Sequence, residues 1–207
     1  MAQKPQTAGQ RKLGAAARRA RLHLPAGVPA VVFLTDPGRT RDPARIAARL
    51  PRGWGIIYRH FGEPDRMHVA SALAKIARRR GLRLLISGDP ALGMRVGAAG
   101  VHWPFARRDE ARKWRNRFDL MTVSAHSPGE LRTIPAGLFD AALVSTVFPS
   151  GSPSARNPLG ALKFRHLART AQLPLFALGG IAADNAARMA QSAGLAAIDG
   201  IAEVFDA

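Results

Sequence analysis

Leu175-Phe176-Ala177-Leu178-Gly179-Gly180-Ile181 is the stretch on which the fold turns. Its apolar run reads as a buried strand that ends in two adjacent glycines, and the Ala-rich pattern behind it predicts a helix over 183–191. Adjacent glycines let the backbone approach a ligand closely and point N–H groups toward it. A helix start just beyond adds unpaired N–H donors and a positive dipole end, so the spot suits a phosphate. In an eight-stranded α/β barrel, the end of the seventh strand is where phosphate is often held. The competing reading of a lone glycine pair is a tight strand-to-helix turn with no ligand.

Working outward, short apolar runs recur at 31–35, 55–59, 82–87, 100–103, 120–125, 141–146, 173–178 and 196–201. Helical patterns separate them at 43–50, 66–80, 91–98, 109–115, 128–132 and 159–171, and from 183 onward. Eight strands alternating with helices predict an α/β fold with parallel strands, and eight is the number that closes a (β/α)8 TIM barrel. The pattern occupies only residues 31–207, so the barrel is small and its helices and loops are trimmed. An open doubly wound sheet of about six strands is the alternative, without its dinucleotide-binding version, since no Gly-x-Gly-x-x-Gly follows the first strand.

Composition bounds the rest. The chain has 207 residues, 47% of them hydrophobic, which is enough for one core. It carries no run of 18 apolar residues and no apolar segment near the N-terminus, so neither a membrane span nor a secretory signal is expected. With no cysteine, disulfides, thiol catalysis and thiolate metal sites are excluded. The default expectation is a cytoplasmic enzyme. Lys and Arg number 31 against 14 Asp and Glu, a formal charge of +17 that attracts polyanions and phosphorylated metabolites alike. Part of that charge precedes the first acid, Asp36, in Lys4, Arg11, Lys12, Arg18, Arg19 and Arg21. Residues 1–28 therefore read as a flexible basic arm, partly helical over 14–22 and suited to non-specific polyanion contact, and 29–207 as the barrel. Aromatics are 6% of the chain and offer no base-stacking platform, which argues against RNA recognition.

In a barrel the C-terminal strand ends face the active site. Those ends read Thr35-Asp36, Arg59-His60, Ser87-Gly88-Asp89, His102-Trp103, Ser124-Ala125-His126, the run from Ser145 to Ser152, Gly179-Gly180 and Gly200-Ile201-Ala202. Arg59 offers a fork of donors for phosphate oxygens. Ser150 and Ser152 offer hydroxyls, and His126 is the residue type that exchanges protons near neutral pH. Singly, each has a plain alternative: Arg59 an ion-pair partner, His102 a packed histidine, the serines ordinary loop residues. Their joint placement on successive strand ends points to one small-molecule site.

Read in order, these ends resemble a known family. The matching pieces begin with Phe33-Leu34-Thr35-Asp36, Tyr58-Arg59 and Val96-Gly97-Ala98-Ala99-Gly100-Val101-His102. They continue with Val123-Ser124-Ala125-His126-Ser127, Val147-Phe148-Pro149-Ser150-Gly151-Ser152 followed by Pro158-Leu159-Gly160, and Ala177-Leu178-Gly179-Gly180-Ile181 with Asn185. Together they are similar to the thiamine phosphate synthase and TenI superfamily over residues 31–205. The resemblance implies a (β/α)8 barrel acting on thiazole phosphate. The synthase branch joins it to a pyrimidine methyl pyrophosphate with Mg2+ and expels pyrophosphate. The TenI branch isomerises a carboxythiazole phosphate without metal, and the resemblance makes His126 its acid–base residue.

It further implies Arg59, Ser87, Ser124, Ser150, Ser152, Gly179, Gly180 and the backbone of Ala202 as substrate and phosphate contacts, and Asp89 as the Mg2+ ligand. The sequence departs from the family pattern around the pyrophosphate. Phe61 and Pro153 stand at lysine positions, Ser87-Gly88 at an Asn-Asp pair, and Ala202 at a serine. Asp89 falls one residue late, and a second metal acid aligns near Arg107, with Asp109 the nearest carboxylate. Arg107, Arg108 and Arg156 are candidate cations to stand in for the metal. A barrel that has lost catalysis and binds phosphorylated ligands or acidic partners is the alternative, and a homodimer is compatible with either.

Overall fold

Eight apolar runs become strands because each is covered on both faces, by helices outside and by other strands' side chains within. The computed structural model describes residues 5–151 and 157–206. In chain order the elements are α1 (Ala8–Ala20), β1 (Val31–Leu34), α2 (Pro43–Ala47), β2 (Gly55–Tyr58), α3 (Arg66–Arg80), β3 (Arg83–Ser87), α4 (Pro90–Val96) and β4 (Gly100–Trp103). After a run of 3-10 turns (Phe105–Arg117) come β5 (Leu120–Ala125), α5 (Pro128–Arg132), β6 (Ala141–Val144), α6 (Gly160–Thr170), β7 (Leu175–Leu178), α7 (Ala186–Met189), β8 (Gly194–Ala197) and α8 (Asp199–Phe205). The parallel strands pair in sequence order, and β8 returns to β1 with Val32 opposite Ala196. The sheet is a closed (β/α)8 barrel, which overturns the open-sheet alternative.

Strand alternation builds two cores. Val32, Leu34, Ile57, Leu85, Leu120, Leu143 and Phe176 fill the barrel interior. Phe33, Ile56, Tyr58, Ile86, Val123 and Val144 join the layer against the helices. Three helices start alike, from a polar cap followed by proline: Asp42-Pro43, Asp89-Pro90 and Ser127-Pro128. Each cap side chain accepts a first-turn N–H, while proline at the first helical position forfeits no hydrogen bond. Among the described residues no helix is long and apolar enough to cross a membrane.

Three expectations are corrected. The helix expected over 109–115 is instead part of the 3-10 run, in which only Ala111 is buried. Without an apolar stripe it has nothing to seat an α-helix, and local pairs such as Arg107–Glu110 at i,i+3 suit three residues per turn. The last strand lies at 194–197, not 196–201, and Asp199 to Phe205 form α8. Gly194 starts that strand because the Phe176 ring occupies its Cβ space, where a side-chain atom would stand 2.4 Å from Cε1.

The third correction is the arm. Residues 8–20 form α1, opened by a reciprocal Thr7–Gln10 capping box. Leu13, Ala16, Ala17 and Ala20 are buried at i, i+3, i+4 and i+7, against α7, α8 and β8. Lys12 pairs with Asp184, and Arg21 donates to the carbonyls of Leu24, Pro25 and Val28. The arm is a docked helix rather than a flexible tail. Its stripe is made of alanines, so composition shows only the exposed cations opposite it.

Candidate functional site

Strand ends converge on a cavity of about 480 Å3 at the C-terminal mouth of the barrel. Arg59, Ser87, Ser124, His126, Ser150, Gly179 and Gly180 all line it, together with His102. Ser152 lies outside the described residues. Asp89 and Ala202 do not line the cavity. The Ala202 N–H is taken up within α8 by the Ile198 carbonyl at 3.0 Å, because the chain here is helix rather than strand end. Ser145 and Gly200, read among the strand ends, also line the cavity, as do Arg39, Phe105 and Asp199, to which sequence reasoning gave no role. Ser145 had a signal, being the first polar residue after β6. Arg39 and Phe105 sit in loops whose course no motif reveals.

The glycine turn is built by exclusion. Gly179 and Gly180 have φ of +94° and +63°. A Cβ on Gly179 would stand 2.6 Å from Thr146 Cγ2, and one on Gly180 2.5 Å from the Pro149 carbonyl oxygen. Only glycine fits either position. The helix expected over 183–191 is shortened to the four residues of α7, which begins at Ala186, six residues beyond the turn. Ahead of it Asn185 laces the turn, its Oδ1 accepting from Ala182 N at 3.0 Å and its Nδ2 donating to the Gly180 carbonyl at 2.7 Å. The cradle is therefore a pinned backbone turn, with little help from a helix dipole.

A row of hydroxyls and imidazoles lies at the ends of β4 and β5. Barrel register places His102 beside Thr122, and Ser124 follows two residues later on the same face of β5. His102 is gripped at both nitrogens, Nδ1 to Thr122 Oγ1 at 2.9 Å and Nε2 to Ser124 Oγ at 2.8 Å. Burial, with Arg59 and His126 adding repulsion, lowers its pKa to about 3. His102 is thus neutral and orients the Ser124 hydroxyl. His126 is exposed at the mouth, with Nδ1 2.9 Å from Ser145 Oγ and its backbone N–H held by Glu130 Oε2 at 2.6 Å.

The buried imidazole has a measurable consequence. In the unfolded chain His102 takes a proton below its ordinary pKa of about 6.5. In the folded chain it resists until about 3, so the unfolded state binds more protons in that window. Stability is expected to fall by roughly 3 kcal/mol on going from pH 7 to pH 4 through this group alone. Urea denaturation at both values checks it, and His102→Gln should flatten most of that slope.

Charge at the mouth is unevenly committed. Arg39 is spent internally, donating to Asp199 Oδ2 at 3.0 Å and to Asp36 Oδ2 at 3.2 Å. Arg59 is half-buried, and its guanidinium donates to no acceptor among the described residues. Its backbone N–H is fixed to Thr35 Oγ1 at 3.0 Å. A desolvated cation facing a cavity without a partner is unusual unless an anion arrives there.

The expected metal ligand is otherwise engaged. Asp89 Oδ1 caps α4 by accepting from Leu92 N at 2.8 Å, and Oδ2 pairs with Arg66 at 2.6 Å. Burial pushes its pKa up, but these hydrogen bonds and the arginine charge win and hold it below the usual carboxylate range. Asp109 pairs with Arg108 at 3.9 Å, and no group of three potential ligands converges among the described residues. Asp89 and Asp109 therefore offer no free carboxylate to a Mg2+, whereas Glu203 lines the cavity with no hydrogen bond or ion pair to its carboxylate among the described residues. Arg107 and Arg108 do not stand in for the metal. Arg107 is held by Glu110 and the Gly88 carbonyl, Arg108 by Asp109 and the Phe105 carbonyl, and neither lines the cavity. Arg156 lies outside the described residues.

A model of the family described as thiamine monophosphate synthase matches residues 31–204, all eight strands and the helices between them. The chain belongs to that family. Among thiamine monophosphate synthase relatives, a thiamine-phosphate synthase of Thioalkalivibrio sulfidiphilus is 34% identical over 134 residues, covering 60% of this chain and 60% of that protein. A thiamine-phosphate synthase of Synechococcus is 27% identical over 171 residues, covering 77% of this chain and 48% of its own. The chain thus spans about half to three-fifths of the length of these relatives. The solved thiamine phosphate pyrophosphorylase from Pyrococcus furiosus superposes with a TM-score of 0.72 at 17% identity, covering 91% of this chain and 94% of that one. That likeness shows the shared barrel.

Proposed function

We propose that this chain is a thiamine-phosphate-synthase-type enzyme that binds thiazole phosphate in the barrel mouth. The observation that carries the reading is that Arg59, whose guanidinium has no acceptor among the described residues, faces the same cavity as the pinned Gly179–Gly180 turn. The turn's backbone N–H groups and Ser150 take the thiazole phosphate, and Arg59 takes the anion of the second, pyrimidine-bearing substrate. In the coupling reaction the thiazole nitrogen bonds to the pyrimidine methylene carbon while that carbon's bond to pyrophosphate oxygen breaks. The protein's share is to hold the two in line and to stabilise the leaving anion through Arg59. Ser124, its hydroxyl directed by His102, positions the pyrimidine. No step is assigned to a metal, because Asp89 is already committed.

A second reading is favoured by that same Asp89 and by the Ser145–His126 contact. It is a metal-free proton transfer that converts a carboxythiazole phosphate to its aromatic form, with His126 removing and returning the proton. The test is a synthase assay on the purified protein with pyrimidine methyl pyrophosphate, thiazole phosphate and Mg2+, thiamine phosphate being read as fluorescent thiochrome. The coupling reading expects product above the no-enzyme rate. Absence of product with thiazole phosphate bound would transfer the assignment to proton transfer, and absence of both would leave a barrel without this chemistry.

A further inference from the structure

One side of the mouth is aromatic where the rest is polar. Phe61, from the loop after β2, is 50% exposed yet lines the cavity, and Phe105, from the loop after β4, lines it too. The Phe61 backbone is held in a turn and its ring rests on neighbouring groups. Its N–H donates to the Arg59 carbonyl at 2.8 Å, in a tight turn that carries Arg59 and Phe61 to the same cavity. Its ring lies over the end of β3, where a Cβ on Gly88 would stand 3.3 Å from Cε1. Behind each ring stands a guanidinium, Arg66 at 5.6 Å from the Phe61 centroid and Arg108 at 4.2 Å from the Phe105 centroid. Neither arginine lines the cavity.

The arginines next to these rings are already paired. Arg66 is neutralised by Asp89, Arg107 by Glu110 and Arg108 by Asp109. What these loops turn toward the cavity is two aromatic rings, with Arg59 the cation nearest them in sequence. Such a surface gains from burying an uncharged planar ring and from stacking against it, and gains nothing from phosphate.

We propose that Phe61 and Phe105 form an aromatic subsite that takes an uncharged planar heteroaromatic ring, while the substrates' anionic groups lie at the Gly179–Gly180 turn and at Arg59. The proposal rests on the phosphate reading above and adds to it the element that selects for a ring. The ring belongs either to the phosphate-bearing thiazole or to a second, pyrimidine molecule, and the chemistry of the subsite is the same for both.

Calorimetric titration of the full chain separates these cases. The probes are thiazole phosphate, ethyl phosphate, which keeps the phosphate and lacks the ring, and free hydroxymethylpyrimidine added to protein saturated with thiazole phosphate. Phe61→Ala is expected to weaken one ring ligand about tenfold and to leave ethyl phosphate unchanged. Loss on thiazole phosphate assigns the subsite to the thiazole, and loss on hydroxymethylpyrimidine assigns it to the pyrimidine. Phe105→Ala should act on the same ligand, and Phe61→Leu should restore part of the affinity. Circular dichroism confirms that each variant is folded, which the exposure of Phe61 favours. Unchanged affinity for both rings in Phe61→Ala and Phe105→Ala would overturn the subsite and leave the phosphate reading standing. Wild-type protein that binds neither phosphate probe would sink that reading, and with it the proposal.

Discussion

Arg59→Ala is expected to weaken pyrophosphate-bearing ligands by roughly 10- to 100-fold, the 1.5–3 kcal/mol typical of a charge-assisted hydrogen bond, and to leave thiazole phosphate, assigned to the Gly179–Gly180 turn, little changed. Its guanidinium is the one lining cation without an acceptor among the described residues, since Arg39 is held by Asp36 and Asp199. Burial disfavours its charge, and the carboxylate of Asp36 only in part offsets that. An anion arriving at Arg59 therefore meets a donor fork to which no described residue supplies a hydrogen-bond acceptor. Because the side chain makes no hydrogen bond or ion pair among the described residues, its removal should leave the melting temperature where it was or raise it slightly. That split, binding lost and stability kept, is read by titration beside a thermal melt. A variant that melts well below the wild type would show that Arg59 holds the barrel together instead of waiting for a ligand.

Leu13→Ala is expected to cost about 2–5 kcal/mol, the range for truncating a buried leucine. For a domain of this size that lowers the melting temperature by roughly 5–20 °C. Leu13 is 2% exposed and sits in the stripe that α1 lays on α7, α8 and β8. The contact is close as well as apolar: a Cβ on Gly9 would stand 3.0 Å from Val204 Cγ2 on α8. Deleting residues 2–22 uncovers that whole face and should leave little folded protein. Arg18→Ala and Arg19→Ala, on the exposed side of the same helix, should shift the melt by less than a degree or two, surface changes being about ±0.5 kcal/mol. An unchanged melt in Leu13→Ala would restore the picture of a loose basic tail.

These two residues also mark what a sequence reader sees. Arg59 was visible because barrel logic fixes where strand ends point, and a cation there is conspicuous. Leu13 was not, because its neighbours in the stripe are Ala16, Ala17 and Ala20, which carry little hydrophobic signal, while the cations between them dominate the composition. The Gly179–Gly180 turn was legible as a backbone feature, and its lacing by Asn185 was not, since a side chain five residues on declares no target. Asp89 misled for a related reason. An acid near a strand end reads as a ligand, yet an acid before proline also reads as a helix cap, and Arg66, 23 residues earlier in sequence, decided between them.

What the sequence by itself determined is the barrel: eight apolar runs separated by helical patterns, with Asp-Pro and Ser-Pro caps and glycines at the turns, are local signals that survive without knowledge of partners. What only the tertiary structure decided is which polar groups are free. Whether Arg39, Arg59, Asp89 and Arg107 meet a ligand or one another depends on contacts between residues far apart in the chain. A cation costs little in water, much when buried alone, and little again when paired, so the same residue type is a binding group or a structural one according to its neighbours in space.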